Sequence, residues 1–106
     1  MHCLLFRHGI AVSPHDWEGS ELSRPLTKEG IIKTQKCAEG LRHVDMSPTH
    51  ILCSPLTRTQ ETAKIAKEIL GCKAKIQLCP ELVFDQSPLL LFPMLNQLPP
   101  SATVMV

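Results

Sequence analysis

Three observations predict an α/β fold, with a mostly parallel sheet carrying helices on both faces as a three-layer α/β/α sandwich. Short apolar segments alternate with stretches of helical period in the order βαβαβαβ. The segments between strands are long enough for crossover helices, which parallel pairing requires. The first strand also ends abruptly on Arg7-His8-Gly9, and in open α/β sheets chemistry collects at the carboxyl ends of strands. A chain of 106 residues suffices for one hydrophobic core and not for two, so residues 1–106 are read as one domain.

The first strand is expected at residues 2–6, His-Cys-Leu-Leu-Phe, a mostly apolar run that suits a strand covered on both faces. Residues 10–26 lack periodicity and form a long loop, a kind of segment that is often functional in a compact domain. A helix is expected at about 28–43, where Ile31, Ile32, Cys37, Ala38 and Leu41 recur at helical spacing and Thr27 can cap the first turn. Residues 49–53, Thr-His-Ile-Leu-Cys, read as the second strand. Ser54 and Pro55 then restart the chain as a helix, with serine as N-cap and proline in the first helical position. Ala63, Ile65, Ala66, Ile69 and Leu70 supply its apolar side, and Gly71 ends it. Residues 75–79 alternate as a third strand, Ser87-Pro88 opens a third helix, and residues 102–106 form a fourth strand. The chain stops on Val106 with no covering helix after that strand, which predicts a C-terminally incomplete domain.

Composition excludes several classes of partner. Eleven Lys and Arg against ten Asp and Glu give a net charge of +1, so no basic excess exists to hold a nucleic-acid backbone or an anionic membrane. The apolar run at 88–95 is short and broken by prolines, far from a membrane span. Arg7 and His8 interrupt the only apolar N-terminal stretch before a signal-peptide core is complete. Five scattered cysteines show neither zinc spacing nor a disulfide framework. A cytoplasmic protein with reduced thiols is expected, without metal or cofactor.

Topology can bring Arg7 and His8, at the end of the first strand, together with Arg58, early in the helix after the second. Two guanidiniums bind phosphate through forked, charge-assisted hydrogen bonds, and the N–H groups opening the helix add positive potential. Between them a neutral imidazole can attack phosphorus and form a phosphohistidine that water later hydrolyses. Gly9 allows the backbone a sharp turn beside the bound oxyanion.

Three blocks, Leu5-Phe6-Arg7-His8-Gly9, Arg24-Pro25-Leu26-Thr27-Lys28-Glu29-Gly30 and Ser54-Pro55-Leu56-Thr57-Arg58-Thr59-Gln60-Glu61-Thr62-Ala63, closely resemble the histidine phosphatase superfamily, also called phosphoglycerate mutase-like. The compact pattern is most similar to its SixA-type phosphohistidine phosphatases. This resemblance implies that His8 is the phosphorylated nucleophile and that Arg7 and Arg58 clamp the phosphoryl oxygens, with Gly9 beside them. It implies a substrate that is a phosphorylated protein histidine or a small phosphomonoester. The family also carries a second histidine, in a Gly-His motif after a later strand, which would fall beyond Val106. For the general acid two carboxylates are candidates, Glu81 after the third strand and Glu21 on the long loop; an imidazole leaving group would make a weak acid tolerable. A second reading is a non-catalytic phosphate-binding or interaction protein descended from such an enzyme.

Other residues have plainer readings. Arg58 could simply be a helix residue in an ion pair, for which Glu61 at i+3 is the carboxylate further along its own helix. Cys53 is separated from Arg58 by four residues, one fewer than a cysteine-phosphatase loop needs, so a buried inert thiol is expected. His2, His15, His43 and His50 lack metal-ligand spacing. Trp17 is expected to pack within its loop or to line the approach to the site. Glu81 could be an ordinary solvated loop residue.

Overall fold

A computed structural model describes residues 1–106. Four strands, β1 (His2–Leu4), β2 (His50–Cys53), β3 (Ile76–Leu78) and β4 (Thr103–Met105), form one sheet in the order β1-β4-β2-β3. Every pairing in it is parallel. Three α-helices, α1 (Lys28–His43), α2 (Thr57–Leu70) and α3 (Leu91–Asn96), join them, with 3-10 turns at Glu21–Ser23, Pro80–Leu82 and Pro88–Leu90. The expected α/β architecture is therefore observed.

Two apolar clusters lie on opposite faces of the sheet, because successive strand residues point to opposite sides. Ile51, Cys53 and Met105 pack with Ala38 of α1 and with Ala63 and Ala66 of α2. On the other face Leu52 and Val104 pack with Cys79 and Ala102, covered by Leu91, Met94, Leu95 and Leu98. Covering both faces of β2 explains its continuous apolar run.

The structure corrects several expectations. β1 lies at the sheet edge, bonded only to β4; Leu4 and Phe6 pack against the first cluster, whereas Cys3 and Leu5, on the opposite face, are exposed, Leu5 to 79%, so the expectation of cover on both faces fails because the second cluster does not reach β1. The ladder continues beyond the strand as Val106 N–H donates to Leu4 O and Phe6 N–H to Val106 O, both at 2.8 Å. In α1 the buried residues are Gly30, Thr34 and Ala38, whereas Ile32 and Cys37 face solvent. Small residues win because the helix approaches backbone closely: a Cβ on Gly30 would run into the Ile10 carbonyl. Thr27 does cap α1, its hydroxyl oxygen accepting from Gly30 N–H at 2.9 Å.

Helix α2 begins at Thr57 after Leu56, later than the predicted Ser54 cap. The Ser54 side chain is engaged with the Thr59 hydroxyl at 2.7 Å instead of a helix amide, and Thr59 also donates to backbone carbonyls there. Gly71 ends α2 in the left-handed region, φ 62°, as a terminal glycine should. Ser87 caps as predicted, accepting from Leu89 N–H at 3.3 Å, but the first turn it caps is 3-10 and α3 proper starts at Leu91.

Candidate active site

The carboxyl ends of all four strands open into a cleft of about 250 Å³. Phe6, Arg7 and His8 reach it from β1, Cys53 and Ser54 from β2, Met105 and Val106 from β4, and Leu82 follows β3. Thr59 and Thr62 enter from the first turns of α2. The lining is mostly apolar, with Arg7 and His8 after β1, Ser54 after β2 and Thr59 and Thr62 on α2 as its polar side chains.

His8 is partly buried, and its Nδ1 lies 2.8 Å from the Gly9 carbonyl oxygen. A carbonyl only accepts, so Nδ1 carries the proton and, in the neutral ring, Nε2 keeps the free lone pair. Gly9 N–H in turn donates to Thr62 Oγ1 at 3.1 Å, tying the loop after β1 to α2. A side chain at position 9 would strike Thr34 Oγ1 and come within 2.9 Å of the Gly30 carbonyl. Glycine is needed there for close packing on α1.

Arg7 is exposed at the mouth of the cleft. Arg58 is 5% exposed and lies outside the cleft lining, covered by the Glu21 turn. Its Nη2 sits 3.1 Å from Glu21 Oε1, its Nη1 donates to the Glu21 carbonyl at 3.1 Å, and its buried Nε has no partner. Glu21 also takes a two-pronged pair from Arg24, at 2.7 Å from Nη2 and 3.1 Å from Nε. Hydrogen bonding to Arg24, and the charges of Arg24 and Arg58, hold the Glu21 carboxyl below its ordinary range despite the opposing effect of desolvation.

Arg58 thus takes its carboxylate from the distant loop. Glu61, the partner its own helix offers, instead accepts from Leu26 N–H at 3.0 Å and pins the Arg24–Thr27 segment to α2. Glu81 is exposed on the Pro80–Leu82 turn, beside cleft-lining Leu82 but outside the lining itself. Trp17 packs within its loop, Nε1 donating to Ser20 O at 3.0 Å and to Ser23 Oγ at 3.3 Å. Cys53 is buried, its thiol pushed up by desolvation and donating to Ser54 O at 3.0 Å. It stays protonated at neutral pH, unsuited to attack.

Sequence reading did not assign roles to Arg24 and Thr62. Arg24 lines a second groove with Arg7 and His8, on the α1 side; its two-pronged pair with Glu21 at i−3 was the available signal. Thr62 stands in the third quoted block, but its partner could not be read there, because its bond to Gly9 spans 53 residues.

Residues 3–83 match the profile of the histidine phosphatase superfamily (branch 1). A structure of the protein histidine phosphatase SixA complexed with tungstate superposes with a TM-score of 0.90 at 26% identity, covering 100% of this chain and 67% of that one. The ecdysone phosphate phosphatase of Bombix mori, also complexed with tungstate, is alike in fold, with a TM-score of 0.62 at 21% identity over 98% of this chain and 57% of that one. An uncharacterized protein of Picosynechococcus sp. is 38% identical over 65 residues, 61% of this chain and 39% of its own length. The match thus spans well under half of that relative.

Proposed function

The chain belongs to the histidine phosphatase superfamily, branch 1, and from that premise we propose that it is a phosphatase acting through a phosphorylated His8. The observation that carries this reading is the bond from His8 Nδ1 to the Gly9 carbonyl, which leaves Nε2 as the nucleophilic nitrogen beside a cleft at the carboxyl ends of the strands.

Nε2 attacks phosphorus, the bond from phosphorus to the substrate's oxygen or nitrogen breaks, and the leaving group takes up a proton. Water then attacks the phosphorus of phospho-His8, the P–Nε2 bond breaks, and inorganic phosphate departs. Arg7 at the cleft mouth and Arg58 neutralise the phosphoryl oxygens as charge develops. Arg58 brings the donor Nε, which is buried and has no protein partner, and a phosphoryl group competes with Glu21 for its guanidinium. Gly9 brings the backbone close to the bound group.

Glu81 is the better of the two candidate acids, since it is free of ion pairs and adjoins the cleft. Glu21 is held ionised by two arginines, whereas a general acid must begin protonated. The substrate class proposed is a phosphorylated protein histidine or a small phosphomonoester. Tungstate bound to the SixA phosphatase and to the ecdysone phosphate phosphatase is a tetrahedral oxyanion like phosphate and supports that class.

The test is incubation of the full chain with p-nitrophenyl phosphate and with a phosphohistidine peptide, followed by rapid quench and mass detection of acid-labile phosphate on His8. Phosphate release that falls by roughly 10³-fold or more in His8→Ala is expected. Phosphate binding without phospho-His8 or turnover would instead establish the non-catalytic binding protein.

A further inference from the structure

We infer that Thr62 is a positioning residue for His8, acting through Gly9; the inference rests on the reading of His8 as nucleophile. Both polar backbone atoms of Gly9 are committed. Its carbonyl holds the His8 ring through Nδ1 at 2.8 Å, and its N–H is held by Thr62 Oγ1 at 3.1 Å. The Thr62 hydroxyl proton goes on to the Arg58 carbonyl at 2.8 Å. One chain of contacts therefore runs from the nucleophile's ring to the Gly9 carbonyl, across the Gly9 Cα to its N–H, and through the Thr62 hydroxyl to the backbone of Arg58.

The burial of Thr62 separates this arrangement from an incidental contact. Thr62 is 3% exposed, and its bond to Gly9 is the only hydrogen bond between residues 7–9 and α2. Back-bonding of a threonine to the carbonyl four residues earlier is common in helices, but that habit needs only the hydroxyl proton. Here the lone pair is used as well, on a loop 53 residues away in the chain. Glycine has no side chain to hold its own torsions, so the peptide groups on either side of Gly9 are fixed by what they touch. The Thr62 bond anchors the His8–Gly9 peptide group, which carries the nucleophile's backbone, and small displacements of a reacting group cost large factors in rate.

Thr62→Val keeps the shape and removes the hydroxyl, whereas Thr62→Ser keeps the hydroxyl and removes a methyl. For the full chain in the absence of substrate, we expect Thr62→Val to speed amide exchange at Gly9 by about tenfold. The ¹⁵N shifts of the His8 ring should move away from the Nδ1–H tautomer. With p-nitrophenyl phosphate, kcat should fall roughly 10–100-fold with KM nearly unchanged, and Thr62→Ser should restore both spectrum and rate. If the valine chain does not fold, Thr62→Ala makes the same comparison with serine. Unchanged His8 ring shifts in Thr62→Val, or a serine variant as perturbed as valine, overturn the assignment. A wild-type chain that never forms phospho-His8 overturns the phosphatase reading instead, and the ring shifts then still decide the role of Thr62.

Discussion

Glu21 shows how one side chain on a loop can govern two cations. Its carboxylate is shared between Arg24 and Arg58, and Arg24 also donates to the Val12 carbonyl at 2.7 Å, so the turn at Glu21–Ser23 is clamped over α2. Because the folded pKa is depressed, Glu21 favours folding at pH above its unfolded pKa, near 4.3 for a glutamate, and that contribution disappears as pH falls through the folded value. Thermal midpoints measured from pH 7 down to pH 3 should therefore converge between wild type and Glu21→Gln at the acid end, with wild type higher at pH 7. If a bound phosphoryl group competes with Glu21 for Arg58, Glu21→Gln should also bind vanadate more tightly at pH 7. The sequence named Arg58 and Glu21 as candidates, but not their pairing. A salt bridge between residues 37 apart depends on where a loop without periodicity comes to rest, and local spacing carries no such information.

At the scale of elements, glycines mark where backbone geometry, and not side-chain chemistry, decides the structure. Gly71 closes α2 at φ 62°, a conformation that costs an ordinary residue roughly 1–2 kcal/mol. Gly40 lies exposed inside α1 with open space around its Cα, where glycine costs roughly 1 kcal/mol relative to alanine. Urea unfolding should accordingly show Gly71→Ala destabilised by about 1 kcal/mol and Gly40→Ala stabilised by about 0.5–1 kcal/mol. Helix α1 was legible to its ends, since Thr27 and the periodic run after it are local signals. Its buried face was not, because the Gly30, Thr34 and Ala38 stripe is chosen by the neighbouring loop at Ile10 and by packing against α2. The start of α2 was misplaced for a related reason: Ser54 and Pro55 have the chemistry of a cap, but the Thr59 hydroxyl captures the serine.

For the whole molecule, the last strand is the one that completes the sheet. β4 lies between β1 and β2, pairing Val104 with Cys3 on one side and with His50 on the other, and Val104 is 0% exposed. With 19 of 106 residues buried, few other contacts can stand in for that strand. Deleting residues 103–106 should leave β1 without a strand partner and replace a single cooperative thermal transition with a broad one, read by far-UV circular dichroism. Parallel strands depend on such distant pairings, so their order cannot be read from the elements that compose them. Alternating apolar segments, helix caps and the Arg7-His8-Gly9 terminus determined the fold class, the direction of the strands and the residue proposed as nucleophile, since each is written in neighbouring residues. Tertiary structure alone decided that β4 enters the middle of the sheet, that Arg58 rests against Glu21, and that Thr62 holds Gly9, because each joins residues between 37 and 101 positions apart in the chain.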